Sequence, residues 1–348
     1  MGRALPRIAV VVVAVTLAAA LGWFGAVRLL GPRTPAPGAA TGTEVTGTAS
    51  SGTATPAVET TPPPEPTATV EPTRTPEAER FDASRAMTHV RAVTALGVRK
   101  GGSGAESRAA AYVVDQLRAM GYEPKVETFK LTNGARSRNV VVRIPGEVED
   151  VFVIGAHIDS KPPSPGGNDN ASGVGMLLEL ARVWSDGRGP RLTLELVFFG
   201  SEEIIDGVSS HHHFGSRYRV SRMPEAERGR TAGMISLDMV GYGRTINTRT
   251  MLRGPRSLSD MLIREGRRAG LTISFLKDGG RTGWSDHEPY ENAGIPAAWL
   301  GRQQDPVYHS AKDTASHVQP DRLGQVGEFV QTFVEGLDGE AVAELRGD

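Results

Sequence analysis

Four short apolar runs constrain this chain more than anything else in it. VFVI (Val151–Ile154), LTLELVFF (Leu192–Phe199), the run opening MISL (Met234–Met239) and AAWL (Ala297–Leu300) place apolar residues at odd and even positions alike. A strand with that pattern buries both faces, which marks a central strand in a helix-covered sheet. Two more strands are expected at Lys125–Leu131 and Asn139–Ile144. Helix-period apolar residues predict helices over Ser84–Gly97, Glu106–Met120, Gly173–Trp184, Leu258–Ala269 and Leu323–Leu337. The second of these carries Ala110, Val113, Val114, Leu117 and Met120 and stops at Gly121. Strands alternating with helices predict an α/β fold, a mostly parallel central sheet with helices on both faces. In such sheets the ligand site lies at the carboxyl ends of the strands.

The 348 residues divide by composition into three parts. Residues 1–33 hold twenty uncharged residues from Ile8 to Val27, flanked by Arg3, Arg7, Arg28 and Arg33. A helix that long covers about 30 Å, roughly a bilayer core. The segment reads as a retained signal anchor, which its length fits better, or as a cleaved signal peptide with Ala18-Ala19-Ala20 at the cut. Either places the rest outside the cytoplasm, in the first case as a single-pass membrane protein. Residues 34–78 are rich in Thr, Pro and Ala, with almost nothing to bury, and read as a disordered linker. Residues 79–340 form the folded domain, an ordinary size for one α/β unit. The net charge is −1, so nothing points to a nucleic-acid partner. Cysteine is absent, which excludes disulfides, thiolate metal sites and a cysteine nucleophile.

The residues that follow the apolar runs share one chemistry. His157 and Asp159 follow the first, Glu202 and Glu203 the second, Asp238 the third, and Tyr308 and His309 lie in the loop after the fourth. Asp169 sits in a glycine-rich loop between the first strand and its helix. Taken singly these are ordinary: Asp169 could cap a helix, and Glu202-Glu203 could complement a helix dipole. Together they place carboxylates and imidazoles on one edge of one sheet, a donor set that suits zinc and neighbouring divalent metals. HExxH and GxSxG are both missing, which argues against a helix-based single-zinc protease and a serine hydrolase.

Six blocks, GAHIDS, GGNDNASGVGMLLELAR, FFGSEE, SLDMVG, SDHEPYENAGIPA and YHSAKDT, resemble in order the signature blocks of the M28 zinc metallopeptidases. The resemblance covers about Ser84 to Leu337 and implies a two-zinc exopeptidase, most commonly an aminopeptidase acting on peptides. It implies that His157 and Asp238 each contact one zinc, that Glu203 and His309 bind the other, and that Asp169 bridges the pair. It also implies Glu202 as general base, Tyr308 as a stabiliser of the tetrahedral intermediate, and a strained peptide bond at the bridging aspartate. Two zinc ions about 3.5–4 Å apart call for a two-oxygen bridge such as a carboxylate. Asp159 is expected behind His157, taking its other N–H. Two other readings stay open: a single-zinc glutaminyl cyclase, which resembles this family, and a non-catalytic ectodomain that keeps the fold.

Other features carry less. Asn170-Ala171-Ser172 matches a glycosylation sequon but falls inside the metal loop. His211-His212-His213 are expected in an exposed loop, an insertion relative to the family spacing, with no metal or substrate role. His287 is expected to make a structural hydrogen bond near the pocket, and His89 and His317 read as ordinary.

Overall fold

The computed structural model describes residues 79–187, 189–277 and 284–347. The membrane segment and linker expected over 1–33 and 34–78 lie outside the described residues, and among those described no helix is long and apolar enough to cross a membrane.

The described strands are β1 (Lys125–Lys130), β2 (Arg136–Ile144), β3 (Val148–His157), β4 (Leu192–Phe199), β5 (Thr231–Leu237), β6 (Ile246–Arg249), β7 (Ile273–Phe275) and β8 (Ala297–Gly301). They form one sheet in the order β1-β2-β4-β3-β5-β8-β6-β7. The parallel sheet expected from the sequence is its centre: β4-β3-β5-β8 are parallel throughout. The flanks make the whole a mixed sheet. β1 and β2 form a hairpin whose tight turn includes Gly134 at φ 85°, and a hairpin imposes antiparallel pairing. β2 also runs antiparallel to β4, and β6 antiparallel to β8, while β6 and β7 are parallel.

The helices are α1 (Ala83–Thr94), α2 (Gly104–Ala119), α3 (Ser172–Val183), α4 (Phe214–Arg222), α5 (Glu225–Arg230), α6 (Ser257–Arg268), α7 (His287–Asn292), α8 (Pro320–Glu335) and α9 (Gly339–Arg346). Side-chain chemistry explains where several begin. Asp82 accepts the N–H of Ser84 and Arg85 ahead of α1, Ser103 Oγ accepts that of Glu106 in α2, and Pro320 opens α8. The central strands bury both faces, as their sequence requires. Phe152, Ile154 and Ala156 of β3 enter a core shared with α1, α2, α3, α6, α8 and α9. Val151 and Val153 enter a second core with Val220 of α4 and Tyr290 of α7.

One buried cation ties the carboxyl-end edge of the sheet to the helices. Arg99 is wholly buried, and its guanidinium donates to the carbonyls of Ile158, Pro165 and Gly166. These carbonyls belong to the loop that leads from β3 to the turn carrying Asp169. Burial pulls the Arg99 pKa down to about 10 against the pull of Asp159, Asp313 and Asp169, so it stays charged at neutral pH.

Candidate active site

Because β4, β3, β5 and β8 run the same way, the residues after each strand meet at one edge. His157 ends β3, and its Nε2 lies 3.2 Å from Asp169 Oδ1 and 3.5 Å from Asp238 Oδ1. His309 Nε2 lies 3.1 Å from the other oxygen of Asp169, Oδ2, and 2.8 Å from Glu203 Oε1. Asp169 therefore stands between two donor triples, His157/Asp169/Asp238 and Asp169/Glu203/His309, whose ligand atoms each fall within 4.8 Å of one another.

Each of these side chains is held from behind. The turn Gly167–Ala171 presents Asp169, and its Asp169–Asn170 peptide bond is cis. Asp313, from the YHSAKDT block, accepts the backbone N–H of Asn168 and Asp169. The Asn170 amide bridges Leu237 O, at the end of β5, to Gly173 N in α3, and so fixes the turn relative to Asp238. Asn170 is fully buried, as a position inside the loop should be. A methyl group on Gly167 would lie 2.3 Å from the Thr314 backbone, so this close approach needs glycine. Ser285 Oγ donates to Asp238 Oδ2 at 2.9 Å. Asp159 was expected behind His157, and its Oδ1 lies 3.4 Å from His157 Nδ1. Its firmer contacts are elsewhere: it accepts the N–H of Glu202 at 3.0 Å and of Glu203 at 3.1 Å, clamping the adjacent glutamates.

The donors approach one another without satisfying one another. Glu203 Oε1, Asp238 Oδ1 and His309 Nε2 are buried and make no hydrogen bond, although Glu203 and His309 are 2.8 Å apart. Buried polar atoms are nearly always paired, and a divalent cation would satisfy these convergent carboxylate and imidazole atoms together. Their nitrogen and oxygen chemistry, with no sulfur, fits zinc. Burial raises the Glu202 pKa to about 7, with His157 and His213 pulling against it and Glu203 adding to the rise. Burial and then Asp169 likewise raise Glu203.

Tyr308 stands beside this cluster, half-exposed, its ring stacked on His309 at 3.6 Å between centroids. A cavity of about 810 Å³ opens over the acids and histidines, with Ile204, Met239, Trp284, Trp299 and Tyr308 among its walls. That is the size of a small-ligand pocket with apolar walls and a polar floor.

Two expectations need correction. His211-His212-His213 do not form an exposed loop without a role at the site. His212 and His213 are buried and line the cavity, and His213 Nε2 is 2.9 Å from Glu202 Oε1. The segment folds back along the end of β4, where His213 N donates to Glu202 O and Phe214 N to Ser201 O. His287 is also not the structural hydrogen bond expected of it. It is wholly buried, neither ring nitrogen has a partner, and burial lowers its pKa far enough to leave it neutral. His317 does have partners: it stacks on Tyr242 and sits 2.8 Å from Asp305. Sequence reasoning missed Arg99, Ser285, Asp313 and Glu288, whose Oε2 lies 3.4 Å from His213 Nδ1. All but Arg99 lie in the SDHEPY and YHSAKDT blocks, which was the available signal.

The model of Peptidase family M28 matches residues 139–334, more than half the chain and all of the site. The chain belongs to peptidase family M28. Among curated relatives of this M28 chain, aminopeptidase YwaD of Bacillus subtilis is 31% identical over 227 residues, 61% of this chain and 48% of the relative. Leupeptin-inactivating enzyme 1 of Streptomyces exfoliatus is 28% identical over 269 residues, 70% of this chain and 59% of the relative. The M28 chain thus spans about half the length of the curated relatives it matches. Among solved structures, a zinc aminopeptidase of Bacillus subtilis superimposes with a TM-score of 0.65 at 19% identity, covering 74% of this chain and 95% of that one. A glutaminyl cyclase of Bacteroides thetaiotaomicron superimposes with a TM-score of 0.64 at 21% identity, covering 75% and 100%. These likenesses show the fold, an α/β sheet sandwiched by helices.

Proposed function

We propose that this M28 chain is an aminopeptidase that works with two zinc ions and removes N-terminal residues from peptides. The observation that carries this reading is the central carboxylate. Asp169 turns one oxygen to His157 and the other to His309, so two triples share one residue. His157, Asp169 and Asp238 would hold one ion, and Asp169, Glu203 and His309 the other. Zinc supplies Lewis-acid chemistry, bringing the pKa of water down toward about 7 and polarising a carbonyl.

The rest falls to the protein's own groups. Glu202 would take a proton from the attacking water and return it to the leaving amine. Glu202 turns an oxygen to His213 rather than to either donor triple, while Glu203, with His309 and Asp169 as neighbours, keeps a ligand's role. The Tyr308 hydroxyl would donate to the carbonyl oxygen as it gains charge. Met239, Trp284 and Trp299 offer an apolar surface to the substrate side chain. Relatives named as aminopeptidases support the choice of reaction. A single-zinc cyclase would leave one triple without a purpose.

The zinc-loaded chain should hydrolyse aminoacyl anilides with a free α-amine, spare their N-acetyl counterparts, and carry two zinc ions per chain after mild dialysis. Equal cleavage of the blocked substrates would overturn the aminopeptidase reading. One ion together with cyclisation of N-terminal glutamine would favour the cyclase, and no ion and no turnover a binding role.

We also place this unit outside the cytoplasm, held to the membrane by 8–27 through the linker 34–78. The support is compositional: an apolar stretch of bilayer length precedes a chain segment that has little to bury. Deleting residues 1–78 should move activity from the membrane fraction to the soluble one with kcat unchanged. Full-length protein found in the soluble fraction would contradict the tether.

A further inference from the structure

His213 contacts Glu202 from the segment between β4 and α4, and the proposed reaction gives it no part. Its backbone sits in the left-handed region at φ 54°, zipped to the end of β4 by the hydrogen bond from its N–H to Glu202 O. The residue is 2% exposed. On one side Nε2 is 2.9 Å from Glu202 Oε1, and on the other Nδ1 is 3.4 Å from Glu288 Oε2 of α7. His212 packs edge-on against it, with ring centroids 4.0 Å apart at 88°.

We propose that His213 is a positioning residue for Glu202. Its Nε2–H donates to Oε1, fixes the rotamer of the glutamate and leaves proton acceptance to Oε2. The ring cannot swing away, because α7 lies behind it, His212 against its edge, and its own backbone is tied to the residue it orients. A free glutamate loses more rotamer freedom than most side chains when it is held in one pose. Here that ordering is built in before substrate arrives.

The same residues admit a competing assignment, since His212, His213 and Glu288 also converge within 4.8 Å as a metal ligand set would. Arg217 argues against it. One of its guanidinium nitrogens, Nη2, lies 3.3 Å from His212 Nε2 and 3.9 Å from Glu288 Oε1, so a fixed cation already stands among the donors. A second cation there would be repelled.

This role rests on the peptidase reading above, and the test separates the two. Zinc-loaded full-length wild type, H213A and H213Q are compared on a free-amine aminoacyl anilide. In H213A kcat should fall about 100-fold, the cost of a misplaced group, with KM within about twofold of wild type. Gln can aim an amide N–H at Glu202, so H213Q should recover at least about tenfold of that loss. Zinc content should be equal in all three. H213A with wild-type kcat would overturn the positioning role alone, as would a variant that loses one zinc ion, which would make His213 a ligand. A wild type that is inactive on every substrate would bring down the peptidase reading and this role with it. Should H213A fail to fold, the hydrogen bond is read directly by proton NMR of the zinc-loaded protein. The His213 imidazole N–H should resonate far downfield in wild type and move upfield in E202Q, and a resonance unmoved by E202Q would overturn the proposal.

Discussion

Glu202→Gln is expected to keep its full zinc complement and lose about 1,000-fold in kcat, within the range a general base contributes. The two neighbouring glutamates differ in surroundings. Glu203 Oε1 faces His309 and has no hydrogen bond, as a ligand atom should. Glu202 Oε1 faces His213, its N–H is held by Asp159, and burial raises its pKa to about 7. Glutamine keeps the shape and the acceptor oxygen but cannot bind a proton at neutral pH. The separating measurement is zinc content beside turnover. Wild-type turnover would remove Glu202 from the chemistry, and loss of an ion would make it a ligand.

Asp169→Ala should disturb both metal sites at once. Its two oxygens serve His157 on one side, at 3.2 Å, and His309 on the other, at 3.1 Å. Without it each triple falls to two protein ligands, fewer than the three that catalytic zinc sites ordinarily keep. Loss of an outer partner alone costs about 10–100-fold in affinity, so removal of the shared carboxylate should exceed about 100-fold. Dialysed protein should then hold neither ion firmly, and activity should drop to background. If one ion stayed at wild-type affinity, Asp169 would be a ligand of one site only, and the bridging assignment would be lost.

The strands that carry the site announce themselves because they are buried on both faces. Val151–Ile154 has no polar side to confuse the period, Leu192–Phe199 is apolar at every position but Thr193 and Glu195, and β3 and β4 include them. The short strands beyond β8 are harder. β6 has four residues and β7 three, too few for any period to emerge, and each gains its identity from pairing with a neighbour far along the chain. The site divides the same way. His157, Asp169, Glu203, Asp238 and His309 stand at strand ends or in motif blocks, where the topology rule directs attention. His213 does not, because three consecutive histidines in a Ser- and Gly-containing stretch look like a solvated loop. Its burial depends on a backbone pairing with residues 201–202 that no local pattern encodes. Arg99 was hidden for a related reason: its partners are carbonyl groups, which every residue has.

The turn that presents Asp169 is pinned by Asp313, which stands 144 positions further on, and His309 comes only slightly earlier. A ribosome that has delivered everything through β8 has made His157, Asp169, Glu203 and Asp238, but neither of these two. No nascent chain short of that point carries a finished centre, whatever ions surround it. The proposed hydrolysis would thereby be withheld until synthesis has passed β8 and the tail has closed back on the middle of the fold. Nicking the loop after β8 would disarm the protein while leaving the central strands standing.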